Sequence, residues 1–287
     1  MRGFRRSTIR LLPLLTIAIT IAVSWRSLQQ VPGASWVPAL LGLLPWMVGK
    51  YVLCPLRWHG LSCAGRARRW YFRTYAESEL LGLASPGHVG ADLWRAHRLQ
   101  ADGGLRRATA ITEVGLDRLV GAVGLGAFVV VAGATLPLQV IGAAFGIAAV
   151  LALVGFALRG RWRHVLRDRP WPAWPVLLRG VALSMGYQLT IVCLLVGTTS
   201  AMAANVDPVT LLGVFGASQV AGIVPGVSGA SPREGALVVG LAAIGVPWDA
   251  ALGAVALTAL LAWGPGLLLG GPCLLASRRG GAEAAPA

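Results

Sequence analysis

Apolar residues in this chain fall in runs that are too long and too uniform for the one-sided stripe of a soluble helix. The runs 11–25, 35–56, 108–135, 137–158, 176–200 and 249–276 approach or exceed the roughly 20 residues that a helix needs to cross a hydrocarbon core. The pattern predicts an all-α, polytopic integral membrane helical bundle. Two further stretches, Tyr75 to Leu99 and Pro208 to Val246, are interrupted near their middles and are too broken for regular spans. Each interruption carries the same six-residue pattern, P-G-x-x-G-A, at Pro86-Gly87-His88-Val89-Gly90-Ala91 and at Pro225-Gly226-Val227-Ser228-Gly229-Ala230. Proline interrupts the hydrogen-bond ladder and glycine lets the backbone turn and approach a ligand closely.

Charge adds orientation to this picture. The net charge is +14 at pH 7, and the basic residues are 24 arginines and one lysine, Lys50. The segments 1–10, 57–73, 95–107, 159–169 and 278–279 carry 4, 5, 4, 5 and 2 arginines, whereas the intervening loops carry only Arg26. By the positive-inside rule the five basic segments are cytoplasmic, with both termini on that side of the inner membrane. The segment 74–94 must then enter the membrane and return. Parity requires the same of 208–246 from the opposite face, as two half-helices, Val209–Val224 and Arg233–Val246. The expected architecture therefore contains two re-entrant broken-helix elements in an inverted-topology repeat, with repeats at about 35–158 and 173–276. A single domain is expected over 1–276, followed by a disordered cytoplasmic tail, 277–287.

The run 11–25 reads as an uncleaved first helix or as a signal peptide ending near Pro32-Gly33-Ala34; its direct continuation into the next span favours retention. The basic aromatic segment 57–73 is either a headgroup-binding interfacial helix or an ordinary cytoplasmic anchor.

Composition confirms the class: 56% of residues are hydrophobic and 13% charged, and mean hydropathy is +0.69. Arginines confined to short loops between spans point to anionic lipid and not to nucleic acid. The four cysteines are scattered without C-x-x-C spacing and read as small core residues, not as a disulfide frame or metal site. Phosphate-loop, H-E-x-x-H and nucleophile-elbow motifs are absent, and Lys50 lies inside a span; no cofactor, metal or catalytic residue is expected.

A broken helix exposes backbone groups that lipid cannot satisfy, so the two breaks should face a covered cavity. Half-helices starting near Asp92 and Arg233 would aim positive ends at it, favouring anions. Arg95 and Arg233 would clamp a phosphate, with Asp92, Glu234 and His88 as counter-charges or proton carriers. Structural roles stand beside these: Arg95 as an interfacial helix cap, Arg233-Glu234 as a local neutral pair, and His88 as a satisfied polar residue. Glu113 and Asp117, four apart, share a helix face and need an intervening cation, either Arg118 or an arginine from the first break. They form part of a site or an architectural ion network.

These residues resemble the transmembrane region of lysylphosphatidylglycerol synthase, the flippase-like domain family. The first family motif, L-P-G-x-x-G-G-D-x-x-R-A, is matched over Ala84 to Ala96 with Asp92, Arg95 and Ala96 in place. A D/E-R pair is matched by Asp117-Arg118, and P-x-x-x-G-G-x-G-x-R-E-G-A by Pro225, Gly229 and Arg233-Glu234-Gly235-Ala236. Ala91 replaces a glycine, and Pro232 is an extra proline. The resemblance implies a stand-alone member without the soluble aminoacyl-transferase domain. It implies a domain that flips an anionic, aminoacylated or glycosylated lipid across the membrane. A lipid-presenting subunit for a partner transferase, and a membrane-embedded transferase, are the alternatives. Expected partners are lipid headgroups, such a transferase, and a second copy of the chain.

Overall fold

The structure is a computed structural model that describes residues 33–83, 85, 88–132, 171–222 and 231–283, with a few positions in 21–29. Most of the apolar run 11–25, the span 137–158, the basic loop 159–169, and Pro86, Gly87, Pro225, Gly226 and Gly229 lie outside the described residues.

The described chain is helical: α1 (Trp36–Val48), α2 (Cys54–Leu61), α3 (Arg68–Leu83), α4 (Val89–Ala101), α5 (Arg107–Ala132), α6 (Trp174–Ala201), α7 (Pro208–Ala221), α8 (Pro232–Ala243) and α9 (Trp248–Glu283). A π-helical turn, Gly49–Leu53, joins α1 to α2 without a break. Four helical stretches are long and apolar enough to cross a membrane: Trp36–Leu61, Arg107–Val131, Trp174–Ala201 and Trp248–Ser277. They coincide with the four apolar runs that lie within the described residues. Two boundaries differ. The first of these helices continues to Leu61, so Arg57 is not a loop residue but sits 7% exposed inside the bundle. Helix α9 also continues to Glu283, through the start of the segment expected to be a tail.

Both interrupted stretches are helix–break–helix units. In the first, α3 ends at Leu83 and α4 starts at Val89. In the second, α7 ends at Ala221 and α8 starts at Pro232. The helices of each pair pack on one another. Each half of the chain therefore presents a spanning helix, a helix pair and another spanning helix, in that order.

The two halves are joined through the face-to-face contact of α1 and α6. These run antiparallel, with the Ser35 amide donating to the Ala201 carbonyl at 2.8 Å where α1 begins and α6 ends. Glycines make the contact close. A Cβ on Gly197 would lie 2.5 Å from the Pro38 carbonyl oxygen, and one on Gly42 would lie 2.7 Å from that of Cys193. In a membrane the gain comes from packing and not from water exclusion, so such small-residue seams hold helices together. The apolar core lies beyond this seam, where Leu195, Phe215, Leu241 and Leu257 are at most 1% exposed. Phe128 meets Phe215 edge to face there, at a centroid distance of 6.0 Å.

Gly197→Leu is expected to lower the stability of the purified protein by about 1–3 kcal/mol through overpacking. Gly126→Ala, with no atom within 4 Å of the added carbon, should not lower it. Thermal unfolding in detergent measures both, and equal midpoints would count against the seam.

Candidate functional site

The π-turn begins the site. Pro55 lacks an N–H, and its ring would press on the carbonyl of residue 51 in a regular helix. The ladder widens instead, and the Cys54 amide donates five residues back to Gly49. Such turns recur at functional positions because they re-aim side chains. Here Lys50 and Tyr51, adjacent in sequence, both line one cavity of about 100 Å³. That is room for a handful of waters or a single phosphate-sized group.

The same cavity receives residues from both breaks: His88 from the first, Arg233 and Glu234 from the second, with Glu79 of α3 completing the charged wall. Lys50 Nζ lies 2.8 Å from Glu79 Oε2 and 5.6 Å from the centre of the Tyr187 ring. Arg233 Nη2 lies 3.1 Å from Glu234 Oε1, with the Arg233 side chain 40% exposed. Two cations and two carboxylates thus face each other in local pairs.

Local sequence explains both breaks. His88 adopts a left-handed conformation (φ 57°) at the start of α4, and Ser85 Oγ accepts the Gly90 amide at 2.8 Å. Gly90 has no left-handed φ. Its missing side chain instead admits Ser85, whose Oγ would lie 2.7 Å from a Cβ there. Its role is packing across the break. At the second break Ser231 and Glu234 form a capping box on α8, with Pro232 at its first turn, and Glu234 Oε2 accepts the Ser231 amide at 2.9 Å. The positive end of α8 is therefore occupied by its own carboxylate and is not open to an anion.

The remaining expected residues gather in a separate ion cluster. Asp117 is fully buried. It receives Arg57 bidentately (2.7 and 3.1 Å) and Arg95 Nη1 at 2.8 Å. Arg57 Nη1 also donates to Ser184 Oγ at 2.8 Å. Arg95 pairs in addition with Asp92, to which Arg118 Nε donates at 3.0 Å. The Arg95 guanidinium stacks 5.5 Å from the ring centres of both Trp58 and Tyr75. Arg95 is 2% exposed and its charge is already engaged by two carboxylates, so it braces α4 against α2 and α5 and does not line the cavity. Glu113, one turn from Asp117, is also buried, and its Oε1 accepts the Cys63 amide at 3.2 Å.

Four residues of these clusters were not singled out in the sequence. Lys50 is the chain's only lysine and lies in an apolar run, which by itself demands a partner. Glu77 and Glu79 lie inside a segment that parity carries into the membrane. Glu77, fully buried, receives Arg73 at 3.2 Å and Trp94 Nε1 at 3.0 Å, and also bonds Ser277, tying α3 and α4 to α9. Arg57 is hidden by its nearness to the basic segment that follows. No group of three or more His, Cys, Asp or Glu placed to hold a metal occurs among the described residues.

Removing one partner of a fully buried ion pair leaves an uncompensated charge, at a cost of about 3–5 kcal/mol. Arg57→Met is expected to destabilise by that order. Adding Asp117→Asn should recover part of the loss, because the buried carboxylate, which Arg95 alone would then neutralise, is gone. Unfolding midpoints of the single and double variants give the coupling; strict additivity would remove the pair from the structural account.

Comparison with curated proteins and with solved structures gives no match. The family model described as the lysylphosphatidylglycerol synthase TM region matches residues 10–270, which takes in both broken elements, three of the four apolar helices named above and most of the fourth, Trp248–Ser277. The chain is thus a membrane protein with a lipid-related function, and it belongs to the lysylphosphatidylglycerol synthase TM region family.

Proposed function

We propose that this protein moves an anionic lipid between the leaflets of the inner membrane, with the headgroup passing through the cavity at Lys50 and Arg233. The observation that carries this reading is the convergence of His88, from one broken element, and Arg233 and Glu234, from the other, on a single charged cavity inside a bundle of apolar helices.

The charge arrangement suits transient binding. Each cation is held by its own carboxylate, Lys50 by Glu79 and Arg233 by Glu234, so neither of these two charges faces the cavity uncompensated. A phosphodiester entering between Lys50 and Arg233 exchanges one anionic partner for another, and charge-assisted hydrogen bonds replace those lost. Binding strong enough to admit a headgroup and weak enough to release it follows from that competition. Lys50 takes the place in the clamp that the sequence pattern gave to Arg95, whose guanidinium is committed to Asp92 and Asp117.

In this reading the two helix–break–helix units are re-entrant, the two halves form an inverted repeat, and both termini are cytoplasmic. Rocking of one half against the other at the α1–α6 seam alternates access to the cavity. The protein acts on the position of the lipid and not on its covalent structure, and its partners are anionic headgroups, a lipid-modifying transferase and a second copy of the chain.

The purified full chain in liposomes carrying a labelled anionic phospholipid tests the proposal. Wild type is expected to equilibrate label between leaflets. Arg233→Ala should abolish transfer while retaining insertion and the wild-type unfolding profile; Lys50→Gln should abolish transfer and retain insertion, with the loss of stability that leaving the buried Glu79 carboxylate unpaired brings. Wild-type rates in both variants would refute the clamp. Absence of transfer by the wild type, with stable co-purification of a soluble transferase, would replace translocation by lipid presentation.

A further inference from the structure

A second charged cavity, of about 160 Å³, opens where α2 ends and α6 begins. Its wall includes His59, Arg68 and Arg179, and among the described residues no carboxylate lines it. Arg57 also borders it, but that guanidinium is already paired with Asp117 and bonded to Ser184. Arg68 and Arg179 form no ion pair among the described residues. The contrast with the first cavity is one of charge balance: among the described residues Lys50 and Arg233 each have a carboxylate there, and here two arginines and a histidine face one space without one.

Its position fixes the kind of anion. The spans Trp36–Leu61 and Trp174–Ala201 run antiparallel, so the last turn of one and the first turn of the other lie at the same level, the boundary between hydrocarbon and water. Trp171 and Trp174 are 62% and 69% exposed beside it, as tryptophans of an interfacial belt are. Deeper than His59 and Arg179 the wall turns apolar at Leu56 and Leu183, with Val176 on the first turn of α6. A basic pocket between spanning helices at this depth, polar above and apolar below, matches a phosphate carried on acyl chains.

We propose that this cavity is a binding site for the headgroup phosphate of an anionic phospholipid, held by Arg68 and Arg179 with His59 at its side. The site is separate from the central cavity and does not depend on whether the protein translocates lipid. It anchors the α2–α6 junction to the anionic leaflet.

Gly60 supplies a test that leaves the charges in place. It lines the cavity, and a Cβ built on it meets no atom within 4 Å, so Gly60→Leu starts into open space at the cavity wall, adds bulk there and has better helix propensity than glycine. Native mass spectrometry of the full chain in mild detergent, titrated with diacyl phosphatidylglycerol or phosphatidylcholine, reads the occupancy. The wild type should bind phosphatidylglycerol in preference to phosphatidylcholine. One bound phosphatidylglycerol should be weakened about tenfold or more in Arg68→Gln/Arg179→Gln, as expected for the loss of two cations near the surface, and should be lost in Gly60→Leu. Either variant alone is sufficient if the other fails to fold. Equal phosphatidylglycerol binding by wild type and a folded variant would overturn the proposal, as would equal binding of the two lipids. Inorganic phosphate displacing the lipid from this site at comparable concentration would assign it to free anions instead and overturn it equally.

Discussion

The bundle depends on the compensation of buried charge. In a low-dielectric interior a lone carboxylate costs several kcal/mol or more, and Asp117 is fully enclosed. Two guanidinium groups neutralise it, Arg57 from the end of the first span and Arg95 from the helix after the first break. Because Arg95 also holds Asp92, which in turn takes Arg118, three helices are bound by one chain of alternating charges. The Glu77 cluster does the same for α3, α4 and α9. These contacts fix where the first helix pair lies, and so where His88 and Glu79 face the central cavity.

With that frame in place, the two cavities contrast chemically. In the central one every cation is matched by a carboxylate supplied from the same neighbourhood. Under the proposed function, that matching lets an entering phosphate exchange with a carboxylate and leave again. Among the described residues the charged part of the peripheral wall is basic alone, which under the proposal above suits an occupant that stays. The difference lies in two acidic side chains, Glu79 and Glu234, and not in the size of the spaces.

Much of the fold is legible in the sequence, for plain reasons. Run length fixes the spans, because a hydrocarbon layer sets the number of residues needed to cross it. Proline and glycine mark both breaks, because neither residue continues a helix without loss. The pairing of charges is not legible in the same way. Asp117 meets Arg57 across 60 positions of sequence, and nothing local to either residue names the other. Arg57 was read as part of a basic loop because the helix continues one turn past the last long apolar stretch. His88 shows the reverse case: a residue singled out for chemistry carries, in addition, a left-handed φ at its break.

The π-turn at Gly49–Leu53 has a consequence for the phase of the first membrane helix. A turn closed over five residues inserts one extra position into the helical count, so the faces before and after it are set independently. Upstream, the phase that points Gly42 at Gly197 is dictated by the seam with α6. Downstream, the phase that points Arg57 at Asp117 is dictated by the ion cluster. A regular helix could keep only one of these registers. The extra residue is absorbed at the level of Lys50 and Tyr51, so the only lysine in the chain stands at the point where the two registers meet.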